Sequence, residues 1–430
     1  MSKLSYAQLS AACEPGGATA LAVVTELAAA GGPQAGVAPE RYAAGRDTRE
    51  FCYETRLIDG EPAATVVIDQ KQTQLNRIEA AILQSIRDGH PILGRVPRVR
   101  VSYDGGRTGY TDLELPQRVF DGHIRAGTVD ARPVTDHPAY RAARDCSAAD
   151  ARALLELSPG SLVFGSWDST RNDRQARYRA ALSSEVIGVL ADQRDGAVRE
   201  SKSGAGRVDP VGRSISLTVD QLRAVLAGQQ GELSPDLLQS VEEAVQRNGE
   251  KIDAGPLLGV GDVAAVLAEP GVVACRRIIR TQVLSFAALR QLRFDSGLAG
   301  DVSCRALLAA YALAGLTRSN TELNFRANCD LVEAGPTSVK LDARHGDFVA
   351  LDPPSIEEAD ALLDRAIAEA KREADITWQG RVFEVAGNPT VYAGFQPGRA
   401  DGGDGSDGTP STRPFWRPLF TDAKEAGQRG

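Results

Sequence analysis

The feature that most constrains the fold of this chain is a strand that leads directly into a helix. Residues 64–68 (ATVVI) are apolar and mostly β-branched, which predicts a buried strand. Asp69 then stands where a helix N-cap is expected, and Gly89 where the helix ends. Between them, apolar residues recur at helical spacing: Leu75, Ile78, Ile82 and Ile86. The other helix face is polar and carries Gln72, Asn76 and Glu79.

Other segments extend this pattern. The remaining predicted strands are 95–103, 161–164, 276–286 and two short ones within 339–351. The remaining predicted helices are one in the first 45 residues, 148–157, one ending near 191, short ones in 218–268, a turn at 287–294, 301–314, and one that begins at a capping box of Ser355 and Glu358. This mixture indicates an α+β fold with one elaborated core.

Composition shifts divide the chain further. We predict a single domain over residues 1–397, with a helical insertion at 218–268. Residues 194–214 are rich in Gly, Ser and Arg and predict a flexible basic loop with five positive and three negative charges. Residues 398–430 predict a flexible Gly/Asp-rich tail with a short aromatic anchor.

The charge balance limits how the protein binds a polyanion. The net charge of −8 over 430 residues excludes a uniformly basic nucleic-acid coat, so any such site must be local. Seven lysines leave 42 arginines among the 49 basic residues. The planar guanidinium of arginine offers several N–H donors to a phosphate. A GC-rich genome, however, explains the excess of arginine over lysine equally well. Aromatic residues make up 5%, few for a protein that reads many bases by stacking.

Motifs for catalysis and metal binding are missing from the sequence. The six cysteines include no CxxC pair, and the four histidines form no HxxxH. Nucleophile-elbow, Walker A and dinucleotide fingerprints are also missing. We therefore expect no cofactor, no metal and no enzymatic activity. The apolar residues 19–30 are too short to span a bilayer, and no signal peptide is recognisable, so we expect a soluble, cytoplasmic protein without a membrane partner.

Basic residues cluster in three places. Arg276 and Arg280 would share one face of a strand, about 13 Å apart at ~3.3 Å per residue, near the spacing of successive phosphates. The second cluster, between a strand and a helix start, contains Arg171, Arg174 and Arg177. The third lies on the basic loop and contains Lys202, Arg207 and Arg213. Surface ion pairing remains the alternative for each of them.

Several strings, in one consistent order, resemble a known family. They are VVIDQKQTQLNRIEAAIL, LELPQRVFDGHIR, LVFGSWDSTR, GRVDPVG, RRIIRTQVLSFAALRQLRF and NFRANCDLV, within about residues 50–335. They are similar to segments of the guide-RNA-binding backbone subunit of type I-G (formerly I-U) CRISPR Cascade complexes, a RAMP superfamily member. Gln117 stands where that family has His, and Gln70 where it has Ser.

The resemblance implies an RRM-like (ferredoxin-like) palm with large helical and loop insertions. It also implies a non-catalytic subunit of antiviral defence, copies of which stack head to tail along the CRISPR RNA and support pairing with the target DNA strand. The expected partners are the guide RNA, the target DNA in its heteroduplex, further copies of this chain, a fused end-capping and RNA-processing subunit, a large subunit and a recruited helicase–nuclease.

The resemblance also points to individual residues. It places Gln72, Asn76 and Arg77 at the strand–helix junction and Trp167 beside Asp168 after a strand. Core packing is the alternative for Trp167, and Asp168 is expected to orient an arginine. With the basic clusters, the predicted RNA contacts are Gln72, Asn76, Arg77, Trp167, Arg171, Arg174, Arg177, Lys202, Arg207, Arg213, Arg276, Arg277 and Arg280.

Two other functions remain open on the sequence. The first is a metal-independent RNA endonuclease of the same superfamily, processing CRISPR repeats with His123 as general acid or base. The second is a small-molecule α/β enzyme, for which no cofactor fingerprint is present.

Overall fold

A computed structural model describes most of the chain. The described residues are 2–43, 49–168, 170–171, 176–194, 200–203, 216–227, 233, 235–248, 251–253 and 269–394. Most of the predicted basic loop and the whole predicted tail lie outside these ranges. Three predicted RNA contacts also lie outside them: Arg174, Arg207 and Arg213.

The strands of the described chain are numbered in chain order. They are β1 (Ala20–Ala29), β2 (Arg41–Ala43), β3 (Arg49–Phe51), β4 (Tyr53–Ile58), β5 (Glu61–Asp69), β6 (Arg98–Tyr103), β7 (Thr108–Thr111), β8 (Thr128–Val129), β9 (Arg132–Pro133), β10 (Ser166–Asp168), β11 (Ala176–Tyr178), β12 (Leu182–Leu190), β13 (Glu200–Ser203), β14 (Ser216–Thr218), β15 (Lys251–Asp253), β16 (Glu269–Val273), β17 (Cys275–Ser285), β18 (Leu331–Glu333), β19 (Ser338–Asp342), β20 (Phe348–Leu351) and β21 (Val382–Ala386).

The helices are numbered in the same way. They are α1 (Tyr6–Cys13), α2 (Lys71–Arg87), α3 (Gly122–Arg125), α4 (Pro138–Asp145), α5 (Arg152–Leu157), α6 (Gly160–Val163), α7 (Val219–Ala227), α8 (Pro235–Asn248), α9 (Phe286–Leu289), α10 (Gly297–Glu322), α11 (Ile356–Ala374) and α12 (Pro389–Gly394). Short 3-10 turns occur at Leu93–Arg95, Asp104–Gly106, Arg118–Phe120 and Val134–Asp136.

The main sheet is antiparallel and organises the fold. Its strand order is β20-β19-β1-β17-β12-β5-β4, and β18 also pairs with β1. Side chains on β17 alternate between its two faces. Ile278, Arg280, Gln282 and Leu284 are buried, whereas the residues between them are half-buried. The buried face is covered by helices, since Gln282 bonds to Asn320 of α10.

Helix α10 is the central helix of the molecule. It packs against α2, α11 and α1, so it is apolar on all sides rather than along one stripe. By length and hydropathy it is the one candidate membrane span among the described residues, but most of its apolar window is buried within the fold. At Gly315, an added Cβ would lie 2.5 Å from Cδ1 of Ile82 in α2, so the two helices cross very closely there.

A second sheet completes the core. Its strand order is β7-β6-β21-β8-β9, and β21, from near the end of the described chain, pairs in parallel with β6. Val99, Val101, Phe383 and Val385 of this sheet belong to the same hydrophobic cluster as Leu9 of α1. In the insertion, α7 and α8 share a small cluster of their own that contains Leu222, Leu226, Val241 and Ala244.

The structure confirms the α+β class and many of the predicted elements. The strands near 64–68, 98–103 and 276–286, the two strands within 339–351 and the helices at 71–87 and 356–374 are present. The capping box also forms, because the Ser355 side chain accepts from the Glu358 amide while the Glu358 carboxylate accepts from the Ser355 amide.

Five predictions of local structure are wrong. Residues 161–164 fall in the short helix α6, not a strand, and the predicted helix ending near 191 is strand β12. Strand β1 was missed, because its alanine-rich sequence lacks strong β propensity. Asp69 does not cap α2: Gln70 holds that position, and the Asp69 carboxylate accepts from arginines instead. Glu79 is buried at 2% exposure rather than on the polar face of the helix.

Candidate nucleic-acid interface

A groove of about 1210 Å³ runs along α2, from Lys71 to Arg87. Its other walls are residues 113–118, the β10–β11 hairpin, and residues at the ends of β1, β12 and β17. Four of the predicted RNA contacts line it: Gln72, Asn76, Trp167 and Arg177. The structure thus brings together residues that are up to 105 positions apart in the sequence.

The α2 wall of the groove is polar because the helix is amphipathic. Leu75 and Ile78 are buried in the main hydrophobic cluster, which leaves Lys71, Gln72 and Asn76 exposed on the groove side. Gln72 and Asn76 are one helical turn apart, and Nε2 of Gln72 lies 3.4 Å from Oδ1 of Asn76. This wall offers amide donors and one ammonium group to a ligand.

The hairpin wall combines an aromatic ring with a cation. Trp167 and Arg177 face each other in the β10–β11 register, and the Arg177 guanidinium lies 4.9 Å from the centroid of the indole ring. Trp167 is half-buried, whereas Arg177 is exposed. A guanidinium held over an aromatic face keeps its outer N–H groups available to an anion. Two residues further on, Arg179 is exposed and lines the same groove.

A buried ion pair forms the floor of the groove. Arg118 donates from Nε and Nη2 to the two carboxylate oxygens of Glu79, at 2.6 and 2.8 Å. Its Nη1 donates to the carbonyl of Gly165 at 2.5 Å, next to the hairpin. Burial raises the pKa of Glu79 to about 7, although Arg118 acts in the opposite direction. This pair ties α2 to the hairpin and holds the two walls in register.

A second ion pair supports the hairpin from behind. The Nε of Arg144 donates to Oδ2 of Asp168 at 2.6 Å, and Oδ1 of Asp168 accepts from Thr170. Burial opposes ionisation of this carboxyl, but the bonds from Arg144 and Thr170 outweigh it and lower the pKa of Asp168. Asp168 therefore orients an arginine, as its place in the sequence predicted. Arg171 is held nearby, with Nη1 2.6 Å from Asp145.

Arg77 lies away from the groove. Its Nε and Nη2 donate to Asp69 at 3.0 and 3.1 Å, and its Nη1 donates to the carbonyls of Asn324 and Phe325. Arg326 also pairs with Asp69. Two of the strings that carry the family resemblance, those around Asp69 and Arg326, thus meet in one ion-pair cluster that joins β5, α2 and the segment after α10.

The arginines of β17 do not reach the groove either. Arg276 is exposed and forms no hydrogen bond or ion pair within the described chain. Arg277 pairs with Glu26 and Asp59. Arg280 is 2% exposed and lies beneath the helical layer. For Lys202, only the backbone position in β13 is described.

Sequence reasoning overlooked two residues of this interface. Arg118 was not singled out, because nothing in its local sequence indicates that its side chain pairs with Glu79 across the fold. Arg179 did carry a signal: it follows Arg177 by two positions, so the two share a side of an extended segment. That signal was hidden because the segment was assigned to the start of a helix.

The histidine considered as a catalytic group lies elsewhere. Nδ1 of His123 is 2.7 Å from the hydroxyl of Tyr103, and its ring packs edge-on against Tyr103 and Tyr110. It is not among the residues that line the groove. Within the described ranges, no group of three or more His, Cys, Asp or Glu side chains is arranged to hold a metal ion.

Comparison with known families bears on this region directly. Residues 21–193 match the model of a family described as CRISPR-associated protein GSU0053. The match supports a CRISPR-associated protein with a role in CRISPR defence. It contains the α2, 113–118 and hairpin walls of the groove, and of the lining only Thr19, Ala20, Val283 and Ser285 lie outside it. No curated protein matches the chain.

Proposed function

We propose that this protein is a non-catalytic CRISPR RNA-binding subunit that forms the backbone of a type I-G Cascade effector in the cytoplasm. The groove along α2 carries this proposal. It combines exposed cations, side-chain amides and one half-buried indole, which suits the phosphates of a single strand and one stacked base. These groups bind a polynucleotide without base-specific contacts. A subunit that binds guide RNAs of every spacer sequence needs such sequence-independent contacts.

The strand and helix order supports an RRM-like palm. Strands β1, β12, β17 and β19 alternate with α2 and α10 in the order β–α–β–β–α–β, and they lie side by side in the sheet as β19-β1-β17-β12. This is the arrangement of a split βαβ, ferredoxin-like unit. Strands β6 to β9 and the described parts of 216–253 are then insertions into that unit, and β21 follows it in the chain.

The proposed assembly is a head-to-tail filament of this chain on the guide RNA. Each copy would present its groove to a successive stretch of RNA and leave the bases open for pairing with the target DNA strand. The further proposed partners are the fused end-capping and RNA-processing subunit, the large subunit and the recruited helicase–nuclease. DNA cleavage is assigned to that last partner.

Co-expression with a CRISPR array tests the proposal. The full chain is purified with and without the array transcript, and its RNA content and mass are measured by extraction and light scattering. We expect RNA-bound oligomers only when the transcript is present. A monomer free of RNA under both conditions would contradict the proposal.

A cleavage assay tests the non-catalytic part separately. The isolated chain is incubated with repeat RNA and the products are resolved on a denaturing gel, with His123→Ala as the control variant. We expect intact RNA with both proteins. Site-specific cleavage that disappears in His123→Ala would establish the endonuclease instead.

A further inference from the structure

A second cavity lies on the helical side of the main sheet, away from the groove. Its volume is about 470 Å³, within the usual range for small-molecule sites. Aliphatic side chains form most of its walls: Leu21 and Val23 from β1, Leu313 and Leu316 from α10, and Val339 from β19. Such a lining favours an apolar ligand body.

Two charged side chains, Arg280 and Glu333, interrupt this apolar lining. Arg280 of β17 is 2% exposed, and its Nε has no hydrogen-bond partner within the described chain. Its Nη2 lies 3.4 Å from the hydroxyl of Thr25 and 3.6 Å from a carboxylate oxygen of Glu333, both long contacts. A buried guanidinium is therefore left with an unused donor beside an empty volume.

The other buried arginines of the described chain are satisfied. Arg118 and Arg318 donate to carboxylates at 2.6–2.8 Å, and Arg305 donates twice to a carbonyl. None of these three has an N–H that lacks a partner. Because an unpaired buried donor is costly, an acceptor bound in the cavity would stabilise Arg280.

The uncharged side chains beside Arg280 already bond to one another, and the carboxylate of Glu333 contacts the guanidinium only at 3.6 Å. Gln282 and Asn320 bond to each other twice, at 2.8 and 2.9 Å, and Thr25 bonds to Thr337 at 2.9 Å. Burial lowers the pKa of Arg280 to about 10, against the attraction of Glu333, so the group stays charged at neutral pH.

We infer that this cavity binds a small monocarboxylate with an apolar body, a function separate from RNA binding. A planar guanidinium matches a carboxylate through two parallel N–H donors; Nε of Arg280 has no partner within the described chain, and its Nη2 makes only long contacts. A phosphate dianion fits less well, because the cavity offers it one cation and has Glu333 at its rim. The aliphatic walls would enclose the hydrocarbon part.

Titration of the purified full chain with octanoate tests the inference. Binding is measured by calorimetry and by the thermal unfolding midpoint, which rises when a ligand binds only the folded state. Octanamide, which has the same chain without the charge, and inorganic phosphate are the comparison ligands. We expect saturable octanoate binding, at least tenfold weaker octanamide binding and no effect of phosphate. An absence of octanoate binding, or equal binding of the acid and the amide, would overturn the inference.

Arg280→Met assigns the binding to the guanidinium. We expect this variant to fold, since removing a poorly paired buried charge is often neutral or stabilising, and to bind octanoate at least tenfold more weakly. Arg276→Met is the matched control, because it removes an exposed charge from the same strand and should leave octanoate binding unchanged. Equal octanoate affinity in the Arg280→Met and wild-type proteins would contradict the assignment. RNA binding, measured in parallel, reports on the groove independently of this site.

Discussion

At the scale of single residues, the arginines differ in what their guanidiniums contact. Arg77 and Arg118 are held by carboxylates and carbonyls and act as structural ties. Arg177 and Arg179 are exposed in the groove. The number of arginines in the sequence is therefore larger than the number of phosphate contacts to be expected, because many of them form ion pairs and hydrogen bonds within the fold.

The groove arginines should account for part of the salt dependence of RNA binding. We expect Arg177→Gln with Arg179→Gln to weaken binding to all sequences alike. The slope of log K against log salt should flatten by about 1.4, at ~0.7 per lost contact with single-stranded RNA. Filter binding at several salt concentrations measures this.

The control for that pair is Arg107→Gln with Arg132→Gln, which removes two exposed charges outside the groove. Its slope should equal that of the wild type. Arg276→Gln tests the strand that the sequence suggested as a binding face. A flatter slope in Arg276→Gln together with an unchanged slope in the groove pair would place the RNA on β17.

A buried carboxyl beneath the groove should make stability depend on pH. Asp112 is 1% exposed, and burial raises its pKa to about 6 although Ser158 and the Val99 amide donate to it. The folded state therefore binds the proton of Asp112 more tightly than the unfolded state does. The contribution of this protonated carboxyl to stability is present below about pH 4 and is lost as the pH rises to about 6.

Asp112→Asn should therefore gain stability relative to the wild type over that pH interval. The unfolding free energy of Asp112→Asn minus that of the wild type should increase by roughly 2–3 kcal/mol between pH 4 and pH 7. Urea unfolding of both proteins at each pH measures it, and the subtraction cancels the contributions of other carboxyls. A difference that does not vary with pH would show that Asp112 titrates normally.

At the scale of elements, the close crossing of α2 and α10 sets the position of the groove wall. A Cβ at Gly315 would meet Cδ1 and Cγ1 of Ile82 at 2.5 and 2.8 Å, and Cγ2 of Ile78 at 2.9 Å. The amphipathic pattern predicted α2 from the sequence. The short distance between α2 and α10 depends instead on Gly315, which has no Cβ.

We expect Gly315→Ala to lower the unfolding free energy by about 1–3 kcal/mol, because overpacking displaces α2. Adding Ile82→Val removes the clashing Cδ1, so the double variant should recover part of that loss. Gly335→Ala is the control, because nothing lies within 4 Å of its added Cβ. Chemical denaturation of the wild type, the two single variants Gly315→Ala and Ile82→Val, and the double variant measures the coupling. Additive effects would show that the two side chains do not compete for space.

At the scale of the whole molecule, the groove and the Arg280 cavity share no lining residue: α2 lines the groove, and α10 lines the cavity. Binding to either one should therefore be detectable separately. The second sheet, built from β6 and β21, lines neither of them.

Hydrogen exchange with guide RNA should map the groove. We expect slower exchange at the start of α2, at 113–118 and at 176–183, and unchanged exchange in β6 and β21. Mass spectrometry of the peptides, with and without RNA, measures this. Protection limited to the second sheet would contradict the assignment of the groove.

The sequence determined the α+β class and several of its elements. The hydrophobic periodicity of α2 and α11 and the apolar runs of β5 and β17 are local signals that survive in the fold. Strand β12 was mistaken for a helix because helical and extended patterns overlap in a short apolar segment, and pairing with β17 decides between them. The helix periodicity placed Gln72 and Asn76 on its polar face, and the family resemblance singled them out as RNA contacts.

The tertiary structure decided which charged residues are available. Charge pairs such as Glu79 with Arg118, or Asp69 with Arg77 and Arg326, join segments that are up to 257 positions apart, and no local pattern encodes them. Arg276 and Arg280 lie on one strand, yet one is exposed and the other is buried beneath α10. Side-chain periodicity follows from the backbone geometry of one strand, whereas exposure depends on which elements pack over it.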